Sequence, residues 1–288
     1  MDFIKNTLKR FGLYLPLEKL KRKLSPSKRN YSKLKTFNVI INNRSISFTT
    51  ADDYSNGWFY PRYTDGKVHE KPVTESILID LKNHSCFVDV GANLGWYTCV
   101  AAKHLDQGVV YSFEMDNLNF EILKKNISLN QCSNVNAFHR AVSQKNGEMK
   151  YVREFERPSP NFKLNQKLTD SHSQEVTVKS ISLDSFFEEE GIPPEIIKID
   201  VEGAEMDVLK GMKTILKNQR PKLYLEVHPS NLVEHFNSSA LEVLNYLKEI
   251  DYTLYEIQHM REQVDEPFIV ELNNLHINDN SMIIAQPS

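Results

Sequence analysis

Two stretches of the chain end apolar runs with acid or base groups. In the first, Ile197-Lys198-Ile199-Asp200-Val201-Glu202-Gly203-Ala204-Glu205, a buried strand delivers Asp200 and Glu202 to one edge of a sheet. The second, Tyr224-Leu225-Glu226-Val227-His228-Pro229, repeats the arrangement, and period-two alternation puts Glu226 and His228 on one side. Carboxylates at the ends of apolar strands are costly unless paired or functional. Asp200, Glu202, Glu226 and His228 are therefore the candidate catalytic groups. His228 is the first choice of general base because its unperturbed pKa, about 6.5, lies closest to neutral. Asp200 is the alternative, as base or as the group that orients a substrate. Plainer roles stand beside these: Asp200 as a hydrogen-bond partner of a cofactor, Glu202 as the cap of a helix opening near Gly203, Glu205 as a solvated helix residue. Asp200, Glu226 and His228 also have the ligand chemistry of a divalent cation. The sequence holds no closely spaced ligand pair, so no metal is assigned.

A second constellation lies upstream, in Phe87-Val-Asp-Val-Gly-Ala-Asn-Leu-Gly-Trp-Tyr-Thr98. It reads as a buried strand, a glycine-containing turn and a helix start. Gly91 permits a tight turn and close approach to a ligand, and Gly95 permits close helix packing. A dinucleotide fingerprint would be G-x-G-x-x-G, with a pyrophosphate at the helix N-terminus. Here Asn93 takes the middle glycine's place, and the remaining G-x-x-x-G suits a cofactor without a pyrophosphate. Glu114 ends the next strand, twenty-five residues after Asp89. An acid at that place accepts ribose hydroxyls in nucleoside-binding sheets.

The elements that must position these groups alternate. Helices are expected over 73–82, 95–105, 117–129, 204–217 and 239–249. Strands are expected over 86–90, 109–113, 135–142, 176–181, 196–199, 222–227, 252–258 and 281–285, with a hairpin turning at Asn146-Gly147. Such alternation indicates a doubly wound, mostly parallel α/β sheet covered on both faces. The last two strands are expected to add an antiparallel edge. Ahead of this domain (72–288), residues 36–71 read as a β-hairpin around Asn42-Asn43 followed by an aromatic loop. Within that loop, Trp58–Tyr63 can stack on a sugar, close the pocket or be structural.

The chain has 288 residues, 40% hydrophobic and 25% charged, ample for a core that shapes a pocket. Its net charge of −3 does not point to nucleic acid as a partner. Residues 1–35, however, hold eleven Lys or Arg against Asp2 and Glu18, a local +9 that leaves −12 elsewhere. Apolar residues at helical spacing among those lysines suit an interfacial helix on an anionic membrane, through residues 1–24. A solvated basic tail, or a helix packed on the domain, is the alternative. Three unpaired cysteines suit a reducing cytoplasm, and no apolar run approaches a membrane span. The expected location is cytoplasmic, with peripheral contact at the inner membrane face.

The succession FVDVGANLGWYT (87–98), FEMDNLNFEILKKNI (113–127), AVSQKNGEMKY (141–151), SISLDSFF (180–187), IIKIDVEGAEMDVLKGM (196–212) and YLEVHP (224–229) resembles the FkbM-type methyltransferases. The likeness runs over roughly 84–230, with the parts in the family's order. It implies a class I, Rossmann-like fold with a seven-stranded sheet, S-adenosylmethionine as cofactor, and methylation of hydroxyls on sugars, glycolipids or polyketides. By that likeness Asp89, Gly91, Asn93, Gly95 and Tyr97 line the cofactor loop, and Glu114 holds the ribose. Asp200 and Glu202 would stand at the methyl-transfer centre. One departure is Met115-Asp116-Asn117-Leu118, where the family often has prolines after the Glu.

The expected activity is thus O-methylation of a small-molecule or glycan acceptor. Methylation of nitrogen, on an amino sugar or peptide, is a second reading. A non-catalytic binding module on the same fold is a third. The presence of Gly91, Gly95, Glu114, Asp200 and Glu226 counts against the last, since a degenerate site should show gaps.

Overall fold

The computed structural model describes residues 36–52, 54–56, 66–153, 163–164, 174–264 and 266–288. The chain opens with β1 (Thr36–Ile41), β2 (Arg44–Thr49), α1 (Lys71–Leu81), β3 (Cys86–Val90), α2 (Trp96–His104), β4 (Val109–Glu114) and α3 (Asn117–Leu129). It continues through β5 (Val135–His139), β6 (Ala141–Val142), β7 (Gly147–Arg153), β8 (Lys163–Leu164), β9 (Gln174–Ile181) and α4 (Leu183–Glu190). Then come β10 (Ile196–Ile199), α5 (Glu205–Lys210), α6 (Lys213–Asn218), β11 (Lys222–Val227), α7 (Pro229–Phe236) and α8 (Ala240–Glu249). Strands β12 (Tyr252–Gln258), β13 (Phe268–Glu271) and β14 (Ser281–Pro287) end the chain.

The short apolar runs form the middle of the large sheet, whose order is β13-β12-β14-β11-β10-β3-β4-β5. The five strands from β11 to β5 are mutually parallel, and apolar clusters cover the two faces. Among the described residues the sheet has eight strands, not seven. As expected, 252–258 and 281–285 add antiparallel pairing at one end of the sheet, but in an order not foreseen. β14 lies between β11 and β12 and is antiparallel to both, so β12 runs with the parallel set. Met282, Ile283, Ile284 and Ala285 are all buried, as a continuous apolar run inside a sheet requires. The edge is β13, which the sequence pattern did not reveal: it is four residues long, with Phe268 and Ile269 both exposed.

Three further expectations are corrected. The run 135–142 is two strands, β5 in the large sheet and β6 in a small sheet of order β6-β9-β7-β8. The Asn146-Gly147 turn therefore makes no simple hairpin, because β9 lies between β6 and β7. The helix expected over 204–217 breaks at Gly211, where a Cβ would meet the Ser143 carbonyl oxygen at 2.1 Å. Helices α4 and α7 were not anticipated. The Ser182 hydroxyl, accepting from the Ser185 N–H, caps α4, and Pro229 supplies a first-turn proline for α7.

The hairpin β1–β2 turns through Asn42 and Asn43, both at positive φ as a tight two-residue turn requires. Phe48 stacks on Trp96 at 5.1 Å between ring centroids. Asn126 joins three segments: its Oδ1 accepts from Thr49 N–H, and its Nδ2 donates to the Leu94 carbonyl, both at 2.7 Å. The basic segment 1–35 and the aromatic residues Trp58–Tyr63 lie outside the described residues. Among the described residues, no helix is long and apolar enough to cross a membrane.

From β3 the chain moves to β4 on one side, while β10 lies on the other, so a topological switch point falls between β3 and β10. Ligands of doubly wound sheets bind at such a point, outside the strand carboxyl ends. The register Ile199↔Val90 places Gly91 and Asp200 side by side there.

Candidate active site

The loop after β3 is folded by its own backbone. The N–H groups of Gly91 and Ala92 both donate to the Phe113 carbonyl at 2.9 Å, and Asp200 N–H donates to the Val90 carbonyl at 3.0 Å. Gly91 has φ 80°, and a Cβ there would stand 1.9 Å from the Asp200 carbonyl oxygen. No other residue allows β3 and β10 to approach so closely at their ends. Gly95, at φ 87°, faces away from the cleft, and its missing Cβ makes room for Leu123 of α3.

Glu114 faces this loop. Its Oε2 accepts from Asn93 N–H at 2.7 Å and its Oε1 from Asp116 N–H at 2.8 Å. Burial pushes the Glu114 carboxyl up to about 8, against the pull of those two N–H groups. Where the family often has prolines, Asp116 caps α3 by accepting from Leu118 N–H and Asn119 N–H. It also pairs with buried Arg153 at 2.9 Å. The departure in sequence thus keeps a firm helix start.

A cleft runs from Gly91, Asn93 and Glu114 past Met115 and Ala141 to Asp200 and Glu202. Of the residues expected around the cofactor, Gly91, Asn93, Glu114 and Asp200 line it, whereas Asp89, Gly95 and Tyr97 stand behind. Asp89 is buried and its Oδ2 accepts from the Thr98 hydroxyl at 2.6 Å. Tyr97 is buried too, donating to Glu70 Oε2 at 2.7 Å beneath the Lys198 ammonium. The buried Asn93 Oδ1 and Asp89 Oδ1 have no hydrogen-bond partner among the described residues. Unmet acceptors beside a cleft edged by the Glu114 carboxylate fit a ligand bearing hydroxyl and ammonium groups.

At the far end the expected reaction groups do come together. His228 Nε2 lies 3.5 Å from Glu202 Oε2, 3.6 Å from Glu226 Oε1 and 3.8 Å from Asp200 Oδ1. Its Nδ1 is 2.7 Å from Glu205 Oε1, which also accepts from Gly203 N–H at 2.9 Å. Glu202 has φ 53°, and this left-handed turn with Gly203 delays the helix until Glu205. Glu202 therefore caps nothing; it accepts from Asn231 Nδ2. Glu205 is fully buried rather than solvated.

Electrostatics separate the roles. Burial alone would lower the His228 imidazole, but the Glu205 hydrogen bond and the Asp200 and Glu202 charges lift it to about 10. An imidazole with Nδ1 committed to Glu205 and a proton on Nε2 has no lone pair to offer, which argues against His228 as the base. Burial favours the neutral form of Asp200, yet the Lys198 and His228 charges hold it below the usual carboxylate range. Burial lifts Glu202 to about 7 and Glu226 to about 8.

Sequence reasoning missed Lys198, Glu205, Glu70 and Arg261. Lys198 is 1% exposed and pairs with Asp200 Oδ2 at 3.2 Å. Its signal was present, since a lysine inside Ile-Ile-Lys-Ile must be buried. Arg261 reaches Glu226 Oε1 at 3.1 Å from a distant turn, and nothing in its local sequence marks it.

Several known proteins are similar to this chain. Over 191 residues the chain is 26% identical to the hexuronic acid methyltransferase AglP of Haloferax volcanii, covering 64% of this chain and 76% of that one. Over 146 residues it is 25% identical to methyltransferase 1 of Beauveria bassiana, covering 44% of this chain and 58% of that one. Among solved structures, a methyltransferase FkbM from Methylobacillus flagellatus aligns at a TM-score of 0.46 and 15% identity, over 70% of this chain and 43% of that one. The model of the methyltransferase FkbM domain matches residues 89–254, from Asp89 near the end of β3 into β12. Since that match takes in more than half the chain and both ends of the cleft, the protein belongs to the FkbM methyltransferase family, and its cofactor is S-adenosylmethionine.

Proposed function

We propose that the protein methylates a hydroxyl group of a glycan or glycolipid. The observation that carries this reading is the continuity of the cleft, which runs from the ribose-binding end at Glu114 to the paired carboxylates Asp200 and Glu202. The relative from Haloferax volcanii, named for acting on a hexuronic acid, supports a sugar acceptor.

Bound in the cleft, the cofactor supplies a methyl group on a sulfonium. The protein's part is placement. Glu114 accepts the two ribose hydroxyls, the Gly91 turn lets the backbone close on the ligand, and Asn93 Oδ1 offers a further acceptor. Asp200 and Glu202, the two cluster carboxylates that line the cleft, hold the acceptor hydroxyl and receive its proton. Fixing both partners in attack geometry supplies about 7–11 kcal/mol of the barrier. Lys198 and His228 act through Asp200, holding it charged and in place.

Incubation with radiolabelled S-adenosylmethionine and a panel of neutral and uronic-acid glycans tests the reading. A base-stable labelled methyl ether, lost in Asp200→Asn, is the expected product. Label on a nitrogen, or no transfer by protein that demonstrably binds the cofactor, would overturn it.

A further inference from the structure

Among the described residues, the nitrogen facing the three carboxylates has no hydrogen bond. His228 is 2% exposed, and its Nε2 stands 3.5–3.8 Å from oxygens of Glu202, Glu226 and Asp200. Those distances exceed the 2.7–3.2 Å or so of an N–H···O bond. They are instead close to the spacing of donor atoms that share a small divalent cation, about 3–3.6 Å for metal–ligand bonds near 2.0–2.2 Å. The ligand atoms of Asp200, Glu226 and His228 all lie within 4.8 Å of one another.

The surroundings also match. Metal-binding imidazoles characteristically give their other ring nitrogen to a carboxylate, which fixes the tautomer and the ring plane. Glu205, at 2.7 Å from Nδ1 and itself held by Gly203 N–H, does this for His228. Adjacent parallel strands β10 and β11 supply Glu226 directly, and Asp200 and His228 immediately follow them. Among the described residues two cations border the cluster. Lys198 takes the other oxygen of Asp200, and Arg261, whose side chain is 63% exposed, donates to Glu226 Oε1 at 3.1 Å and would have to give up that oxygen to a bound ion.

We propose that Asp200 Oδ1, Glu226 Oε1 and His228 Nε2, with Glu202 Oε2 as a fourth donor, bind a divalent first-row cation such as Mn²⁺ at the acceptor end of the cleft. Mixed carboxylate and imidazole donors suit such an ion, which on binding would displace the Nε2 proton of His228 into solvent. There it would polarise an acceptor hydroxyl. That use rests on the hydroxyl-methylation reading, whereas the binding site itself does not.

The test is an electron paramagnetic resonance titration of the chelator-stripped full chain with Mn²⁺, alongside Glu226→Gln and His228→Gln. Circular dichroism and S-adenosylmethionine calorimetry monitor fold and cofactor site. The expected result is one Mn²⁺ per chain, bound at least about tenfold more weakly by each variant, with cofactor affinity retained. Asp200→Asn, whose side chain is partly exposed, takes their place in the Mn²⁺ titration alone, with circular dichroism as its control, should the buried variants not fold. Wild-type protein with no Mn²⁺ site tighter than about 1 mM, or variants that bind Mn²⁺ as tightly, would overturn the proposal. Loss of cofactor binding in wild type would count against methyl transfer and leave the metal result to be read by itself.

Discussion

His228 Nδ1 and Glu205 Oε1 stand 2.7 Å apart with both side chains buried, so the ring that faces the reaction groups is fixed from behind. The same Glu205 oxygen accepts from Gly203 N–H, while Oε2 has no partner among the described residues. Both useful bonds therefore pass through one atom that an amide also possesses. Glu205→Ala strands His228 and the Gly203 N–H, and should cost about 3–5 kcal/mol, as for a broken buried pair. Glu205→Gln retains an oxygen at that place and should cost less than half as much. Urea unfolding of the two variants measures the difference, and equal losses would show that packing rather than this contact holds the ring.

Much of the site was legible because its residues end apolar runs. Asp89, Glu114, Asp200, Glu226 and His228 each follow or close a strand whose burial is evident from composition. Glu205 was not legible, since its burial depends on the left-handed Glu202 and the postponed start of α5, a matter of three residues. The insertion of β14 between β11 and β12 was hidden for another reason. Strand order is a long-range property, and local alternation records only that a segment is extended.

Glu114 makes the cofactor end sensitive to pH. Its folded-state pKa, raised by burial to about 8, exceeds the unfolded value of about 4.5. The neutral form is thus favoured by folding. Its contribution to stability is fully present below about pH 4.5 and is lost as pH rises through about 8. Cofactor binding should follow the opposite trend, because an ionised carboxylate is the better acceptor of ribose hydroxyls. Calorimetric affinity should rise between pH 6 and about 8, and Glu114→Gln should bind at least about tenfold more weakly without that trend. A pH-independent wild type would remove Glu114 from the ribose site.

Gly91→Ala probes the closeness of β3 and β10. The new methyl group would lie 1.9 Å from the Asp200 carbonyl oxygen at a φ of 80°. Left-handed strain alone costs about 1–3 kcal/mol, and the clash adds to it by forcing the strand ends apart. The denaturant midpoint should fall and cofactor binding should be lost. A folded variant that binds normally would mean that the loop can open there without consequence. Gly191→Ala, at φ 70° but with open space around it, separates the two terms because it carries the strain and not the clash.

Lys198 holds the reaction end together from below. Its ammonium is 3.2 Å from Asp200 Oδ2, lies 4.6 Å from the centre of the Tyr97 ring, and pairs in register with Asp89 across the sheet. Burial works against its charge, but the Asp200 and Asp89 carboxylates outweigh that and raise its pKa. Lys198→Met matches the shape of the stem and removes the charge, leaving two carboxylates without their shared cation. A loss of about 3–5 kcal/mol is expected, together with loss of methyl transfer as Asp200 gives up its fixed position. Lys198→Arg keeps the charge but must seat a larger planar guanidinium over the Tyr97 ring at a site only 1% exposed, so it should recover part of the stability and little of the activity. If Lys198→Met unfolded at the wild-type urea concentration, the ammonium would have no structural part in the site, and Asp200 would have to be held by the backbone of the Gly91 turn alone.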